Sequence, residues 1–260
     1  MRIGFLLALT VACGETPPPT FPAGRWIDLT HSFGPDTIYW PTAKPFTRKA
    51  EFKGITARGY FYSSYWFEAS EHGGTHVDAP IHFAEGQRSL AEIPVDQLIG
   101  PGLVISVIQR AAADRDYQVT IDDITAWEAR EGRIPDGAIV LINTGFHRYW
   151  PNRLKYMGTN ETGPDAVAKL HFPGLRPSAA RWLVDNRRIG AIGLDTPSID
   201  YGQSTNFESH QILFKAQIPA FENVANLDAL PATGAHIFAL PMKIAGGSGG
   251  PVRIVAFIPE

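Results

Sequence analysis

The densest group of chemically capable side chains lies in the segment 71–83. Three of the chain's eight histidines and one aspartate, His72, His76, Asp78 and His82, fall within eleven residues. Zinc, manganese and similar ions accept imidazole and carboxylate ligands, and three protein ligands leave a coordination position open for water. The spacing predicts a metal site formed by the first three, with His82 just beyond the ion, where it could move a proton. The alternative is a loop of partly exposed polar residues whose grouping is incidental.

The residues between these side chains favour a tight, non-helical backbone. Gly73 and Gly74 permit the sharp turn that side chains two and four residues apart need in order to converge. Pro80 prevents a regular helix from running through the segment. We therefore expect a turn and a short extended stretch rather than a helix at this site.

These residues also form a signature, His-x-Gly-Thr-His-x-Asp-x-Pro-x-His. With it the chain resembles the cyclase-like metal-dependent hydrolases, a family that includes bacterial kynurenine formamidase and isatin hydrolase. The resemblance covers nearly the whole chain after its first twenty residues and includes the segments 28–31, 39–41, 143–145, 193–200 and 247–253. Every fixed place of the signature is filled, by His72, Gly74, Thr75, His76, Asp78, Pro80 and His82.

The resemblance implies a second set of metal ligands. In formamidase-like members two ions share the motif aspartate, so that His72, His76 and Asp78 would bind the first ion. Asp78, His210 and Glu222 would bind the second, since His210 and Glu222 stand twelve residues apart in the region similar to the family's second-metal region. Without the family, a helical histidine and a glutamate beyond a proline are ordinary structural residues.

The resemblance also implies the reaction and the fold. The expected activity is hydrolysis of a small amide other than a peptide, N-formylkynurenine-like or isatin-like, by a metal-activated water with His82 as general acid and base. One or two divalent ions per chain, zinc or manganese, would be required. The implied fold is a single α/β domain with a mixed central sheet or partial barrel and flanking helices, a swivelling β/α arrangement. A homodimer or higher homo-oligomer is expected.

Two further residues are predicted to contact the substrate. Trp40 matches the position of an aromatic side chain that packs against the flat substrate in formamidase-like members, although a core position is the alternative. The Pro-Gly-Asp that often follows in the family is Pro41-Thr42-Ala43 here, which leaves the identity of the amide open. Ser198 could line the substrate site or form a turn.

Composition sets limits on the other classes of function. The 260 residues are 44% hydrophobic and 19% charged, as in a soluble globular protein, and the net charge of −3 provides no basic field for nucleic acid. A metal-activated water requires no serine or cysteine nucleophile. A non-catalytic, exported metal- or ligand-binding lipoprotein that retains the pocket is the alternative function.

The first twenty residues resemble a secretory signal followed by a proline-rich tether. A charged start and the apolar run 3–12 precede Cys13, the only cysteine, at a site that resembles a bacterial lipoprotein processing site. We predict an exported, periplasmic or lipid-anchored protein with lipid on Cys13, and a cytoplasmic one if the segment is not a signal. The hydrolase domain is predicted to span residues 21–260.

The elements that must position these residues can be read from the apolar pattern. Short apolar runs with turn signals around them predict strands buried on both faces. A Thr-x-x-Asp capping pattern opens an amphipathic stretch at Thr120. Strands are predicted at 25–30, 38–41, 60–69, 103–108, 138–142, 189–194 and 252–258, and helices at 120–131, 178–186 and 209–218.

Overall fold

The computed structural model describes residues 22–260. The predicted signal segment and Cys13 lie outside this range, so that export and lipid attachment stay predictions. The strands are β1 (Gly24–Asp28), β2 (Thr47–Ile55), β3 (Phe61–Glu68), β4 (His76–Asp78), β5 (Ile99–Ser106), β6 (Gln118–Val119), β7 (Ile139–Asn143), β8 (Gly174–Leu175), β9 (Ala191–Leu194), β10 (Ala220–Glu222), β11 (Ala235–Pro241) and β12 (Gly249–Pro259).

Helices lie between many of these strands in the chain. The α-helices are α1 (Val95–Leu98), α2 (Ile108–Ala113), α3 (Ile121–Glu131), α4 (Arg153–Met157), α5 (Pro177–Asn186) and α6 (Glu208–Lys215). Short 3-10 helices are Pro80–His82, Leu90–Glu92, Phe146–Tyr149, Pro164–Lys169 and Leu227–Ala229. Within residues 22–260, none of the helices has the length and hydropathy needed to cross a bilayer.

The main sheet closes on itself. Its strands follow the order β1-β12-β11-β5-β7-β9-β10-β4, and β4 pairs in turn with β12, which closes seven strands into a barrel. The neighbours β5, β7, β9 and β10 are parallel, whereas β11, β12 and β4 form antiparallel pairs. The α/β fold with a mixed, barrel-like sheet is therefore confirmed.

The alternation of side chains along each strand divides the core into two layers. Val140 and Ile142 of β7 pack with residues of α3 and α5, including Trp127 and Leu183. Ile139 and Leu141, which alternate with these two residues along β7, face the opposite layer. Most strands of the barrel contribute side chains to that layer. Because both faces are covered, β7 is buried at every position, as its continuous apolar run predicts.

Several element predictions differ from the structure at their ends. The strand predicted at 103–108 ends at Ser106, and α2 begins at Ile108. The helix predicted at 209–218 ends at Lys215, and the segment 38–41 forms only an isolated bridge between Tyr39 and Gly73. Strand β2 was not predicted, because its nine residues are mostly polar and exposed and are ordered by pairing with β3.

Strands β2 and β3 form a separate two-stranded hairpin. Its aromatic side chains are largely exposed, for example Phe61 at 61% and Phe67 at 55%. Phe46, just before the hairpin, stacks on Phe67 and also contacts Phe33. The hairpin leads directly into the motif segment at residue 71, and the predicted homo-oligomer stays a prediction.

The capping box at the start of α3 provides a test of the local prediction. The Thr120 side chain accepts from the Asp123 backbone N–H at 3.3 Å, and the Asp123 carboxylate accepts from the Thr120 backbone N–H at 2.8 Å. Thr120→Ala should lower the free energy of unfolding by about 1 kcal/mol, measured by urea denaturation. Thr125→Ala, on the exposed side of the same helix, is the control and should change it by less than about 0.5 kcal/mol. Equal effects would contradict the capping role.

Candidate metal and substrate site

The closing strand of the barrel places the motif side chains. Strand β4 pairs with β10 so that His76 lies opposite Glu222, and it pairs with β12 so that Asp78 lies opposite Gly249. Directly opposed residues of an antiparallel pair point to the same face, as do residues two apart on one strand. His76, Asp78 and Glu222 therefore project to one side of the sheet, and all three are almost fully buried.

Only one of the two ring nitrogens of His76 has a hydrogen-bond partner. Its Nδ1 lies 2.9 Å from the Gly74 carbonyl oxygen, which can only accept, so Nδ1 carries the proton. Its Nε2 is buried without a hydrogen-bond partner. This atom lies 3.1 Å from Asp78 Oδ1 and 3.4 Å from Glu222 Oε2. A lone pair that faces two carboxylates marks a place for a cation.

His210 repeats this arrangement from helix α6. Its Nδ1 lies 2.6 Å from Asp200 Oδ2, and its Nε2 lies 3.1 Å from Glu222 Oε1 and 3.3 Å from Asp78 Oδ2. Asp200 also accepts from the backbone N–H groups of Ser209 and His210 at the start of the helix. One carboxylate thus caps α6 and orients the imidazole, the arrangement that metal-binding histidines usually have.

His72 approaches the same oxygen of Asp78 as His76 does. Its Nδ1 lies 2.7 Å from Asp78 Oδ1, and its Nε2 lies 2.8 Å from Ser248 Oγ. Two sets of three donor atoms lie within 4.8 Å of one another, the first from His72, Asp78 and His82 and the second from His76, Asp78 and Glu222. The shared aspartate agrees with the predicted pair of sites. The sets differ from the predicted ones, since His82 joins His72 and His76 joins Glu222.

The pKa values of these groups reflect the surplus of acceptors. Burial disfavours charge on Asp78, but His72 and hydrogen bonds from the histidines hold its pKa well below the ordinary value. Burial and the charge of Asp78 raise the pKa of Glu222. Burial alone would lower the pKa of His76, yet Asp78 and Glu222 raise it to about 9, and Asp200 acts similarly on His210. The carboxylates thus demand positive charge at the imidazoles, which protons or a divalent ion can provide.

His82 lies in the 3-10 helix that follows the strand. Its ring stacks on that of His72 with 3.8 Å between centroids and an interplanar angle of 15°. Burial and the neighbouring imidazoles His72, His76 and His210 lower the pKa of His82 to about 4, although Asp78 opposes this. His82 is therefore neutral near pH 7, and its imidazole can accept a proton.

The cluster forms the floor of a cavity of about 340 Å³. Trp40, predicted as a substrate contact, is half-buried in its wall, where its ring makes edge contacts with Phe207 and with the core residue Phe172. Ser198, also predicted, is buried in the lining, and its carbonyl accepts from the Thr196 hydroxyl. The eight predicted site residues all line this cavity, namely Trp40, His72, His76, Asp78, His82, Ser198, His210 and Glu222. Their roles as ligands or catalyst stay predictions.

Sequence reasoning missed several residues of the site. Phe83 packs on His210 with 4.6 Å between ring centroids, and Phe207 completes the aromatic wall from a backbone with a φ of 50°. Asn223 also lines the cavity and donates to the Gly74 carbonyl at 2.8 Å. Phe83 directly follows the motif, and this position could have predicted that it lies in the cavity. No sequence pattern marks the other two, because only the packing of α6 and β10 brings them to the cavity.

Comparisons with known proteins agree with this architecture. The Cyclase family model, described as "Putative cyclase", matches residues 27–201. Isatin hydrolase of Roseibium aggregatum is 33% identical over 90% of this chain and 92% of its own length. Kynurenine formamidase of Bacillus mycoides is 26% identical over 89% of this chain and 96% of its own. The structure of isatin hydrolase A from Labrenzia aggregata bound to benzyl benzoate superposes with a TM-score of 0.81 and 34% identity, covering 91% and 94% of the two chains.

The match extends from the fold to the sequence. The family model covers more than half of the chain and includes the motif segment, and the relatives align over nearly their full lengths. The resemblance predicted from the motif is thereby confirmed, and with it a hydrolase. This chain belongs to the Cyclase family, and it is similar to isatin hydrolase and kynurenine formamidase.

Proposed function

We propose that this protein hydrolyses the activated amide of a small flat molecule, isatin-like or N-formylkynurenine-like, with one or two divalent ions, zinc or manganese. The observation that carries the proposal is the convergence of three histidine ring nitrogens on two buried carboxylates at the floor of an aromatic cavity. Isatin hydrolase and kynurenine formamidase among the relatives support the same class of substrate.

The donor set fits a divalent ion. His76 and His210 each present a ring nitrogen to Asp78 and Glu222, and His72 presents another to Asp78; each can lose its proton to make room for a cation. Imidazole with carboxylate suits zinc and manganese alike. An ion bound there would polarise the amide carbonyl and lower the pKa of water.

The cavity walls suit a flat ring. Trp40, Phe83 and Phe207 enclose the space above the cluster, and a cavity of about 340 Å³ is of the size that small ligands occupy. An aromatic substrate would stack or make edge contacts with these rings, which holds its carbonyl carbon over the polar floor. Hydrolysis of an isatin-like substrate produces a carboxylate, and hydrolysis of an N-formylkynurenine-like substrate releases formate. The histidines favour the negative charge of either product.

His82 is suited to move the proton. It is neutral near pH 7 and can accept a proton as water attacks the carbonyl carbon. The protonated imidazole can then donate to the leaving nitrogen when the C–N bond breaks. Stacking on His72 holds its ring at the edge of the cavity.

The first prediction concerns metal and turnover. Purified protein should contain one or two equivalents of a divalent metal and should hydrolyse isatin or N-formylkynurenine. Chelation should abolish turnover, and zinc or manganese should restore it, because the acceptor cluster requires a cation. Elemental analysis with an absorbance assay of both substrates checks this. Protein that is free of metal and inactive after addition of both ions would contradict the proposal.

The second prediction separates proton transfer from metal binding at His82. His82→Ala should lower kcat by about a hundredfold or more, with metal content unchanged, if the imidazole transfers the proton. His171→Ala is the control, because it removes an imidazole that pairs with Asp116 away from the cavity. A loss of metal in His82→Ala would instead assign His82 as a ligand in the set with His72 and Asp78.

The third prediction concerns the aromatic wall. Trp40→Ala should raise KM for the aromatic substrate by about tenfold or more, because the substrate loses a stacking surface and apolar burial. Trp40→Phe should recover most of the affinity. Trp26→Ala, on β1 and away from the cavity, should leave KM unchanged. Steady-state kinetics provides the comparison, and an unchanged KM in Trp40→Ala would place Trp40 in the core alone.

A further inference from the structure

The glycine-rich segment 246–250 lies directly against His72. A Cβ atom on Gly249 would lie 2.5 Å from His72 Cε1 and 2.6 Å from the Val77 carbonyl oxygen. A Cβ atom on Gly247 would lie 3.1 Å from Glu71 Oε1. The approach at Gly249 leaves no room for a Cβ atom, so the segment does more than turn the chain between β11 and β12. It brings Ser248, the residue between the two glycines, to the outer edge of the His72 ring.

A chain of hydrogen bonds runs through Ser248. Both its backbone N–H and its hydroxyl donate to Glu71 Oε2, at 2.9 Å and 2.6 Å. The same hydroxyl oxygen lies 2.8 Å from His72 Nε2. On the other side of the ring, His72 Nδ1 lies 2.7 Å from Asp78 Oδ1. The chain of bonds thus runs from Glu71 through Ser248 and His72 to Asp78, although Glu71 and Ser248 are 177 residues apart in sequence.

The direction of each bond follows from the donors available. Glu71 Oε2 accepts from the Ser248 backbone N–H and is therefore an acceptor for the hydroxyl as well. The single hydroxyl proton of Ser248 is thereby used, and its oxygen must accept from His72 Nε2. His72 then carries a proton on Nε2, and its Nδ1, 2.7 Å from Asp78 Oδ1, faces the carboxylate with a second proton or a metal ion to share. Gly74 and Asp200 fix His76 and His210 in an equivalent way.

We propose that Ser248 and Glu71 are positioning residues that fix the tautomer of His72, so that Nδ1 is free to bind the metal. The inference rests on the proposed function, because it assigns His72 as a ligand. Neither residue touches the cluster of carboxylates, and both act only through the His72 ring. Partners of this type typically change metal affinity or activity by about ten- to a hundredfold when they are removed.

Metal affinity is the first test. Ser248→Ala and Glu71→Gln should each weaken binding of the ion that His72 and Asp78 would hold, by about tenfold or more. The midpoint temperature of thermal unfolding should change little. The matched control is Ser64→Ala, which removes a serine hydroxyl bonded at 2.5 Å to Glu51 in the exposed hairpin and should leave metal affinity unchanged. Titration of the metal-free protein with zinc measures all of these affinities. Wild-type affinity in both site variants would overturn the proposal.

The tautomer itself can be observed. Long-range ¹H–¹⁵N correlation spectra of the zinc-loaded protein, assigned with His72→Gln, should show His72 protonated at Nε2. In Ser248→Ala this preference should weaken, whereas a purely structural role would leave the ring nitrogens unchanged. A wild-type His72 protonated at Nδ1 would overturn the proposal.

A double variant tests whether the two residues act as one unit. If Glu71 acts through the Ser248 hydroxyl, then the double variant should bind zinc no more weakly than Ser248→Ala alone. Additive losses would show that Glu71 acts by another route. Spectra of the metal-free protein keep this inference separate from the proposed function, because His72 should be protonated at Nε2 even if the chain hydrolyses neither substrate.

Discussion

The site depends on one electrostatic constraint, which is that more acceptors than donors meet in a buried space. The nitrogens of His72, His76 and His210 that face inwards approach Asp78 or Glu222 at 2.7 to 3.4 Å. Their outward nitrogens are already paired with a hydroxyl, a carbonyl and a carboxylate. Such a group is stable only with positive charge at its centre, supplied by protons or by a divalent ion. The proposed catalysis and the stability of the fold therefore both require positive charge at this cluster.

The barrel provides the rigidity that this constraint needs. Strand β4 is only three residues long, yet it is hydrogen-bonded on both sides, to β10 and to β12. Two of its three residues belong to the cluster, so closure of the ring and assembly of the site are one event. Because a shift in register by one residue would turn His76 and Asp78 to the opposite face, the pairing that closes the barrel also fixes the ligand geometry.

Each imidazole is oriented by a partner from a different part of the chain. The Gly74 carbonyl lies beside the motif, Asp200 follows β9 and caps α6, and Ser248 precedes β12. The aromatic wall is likewise composed of separate segments, with Trp40 before the hairpin and Phe207 at the start of α6. Misplacement of any one element would alter a single ligand, which makes the centre sensitive to changes far from it in sequence.

The sequence by itself determined the features whose causes are local. The motif places four polar groups within eleven residues, the apolar runs of β5, β7 and β9 predict buried strands, and Thr120 predicts the start of α3. Resemblance to the family added His210 and Glu222, which spacing alone would not have selected. Only the tertiary structure decided the grouping of the ligands, the participation of Asp200 and Ser248, the exposed hairpin and the shape of the cavity. Contacts between residues distant in sequence leave no periodic trace in the chain, because strand pairing and helix packing create them only when the barrel closes.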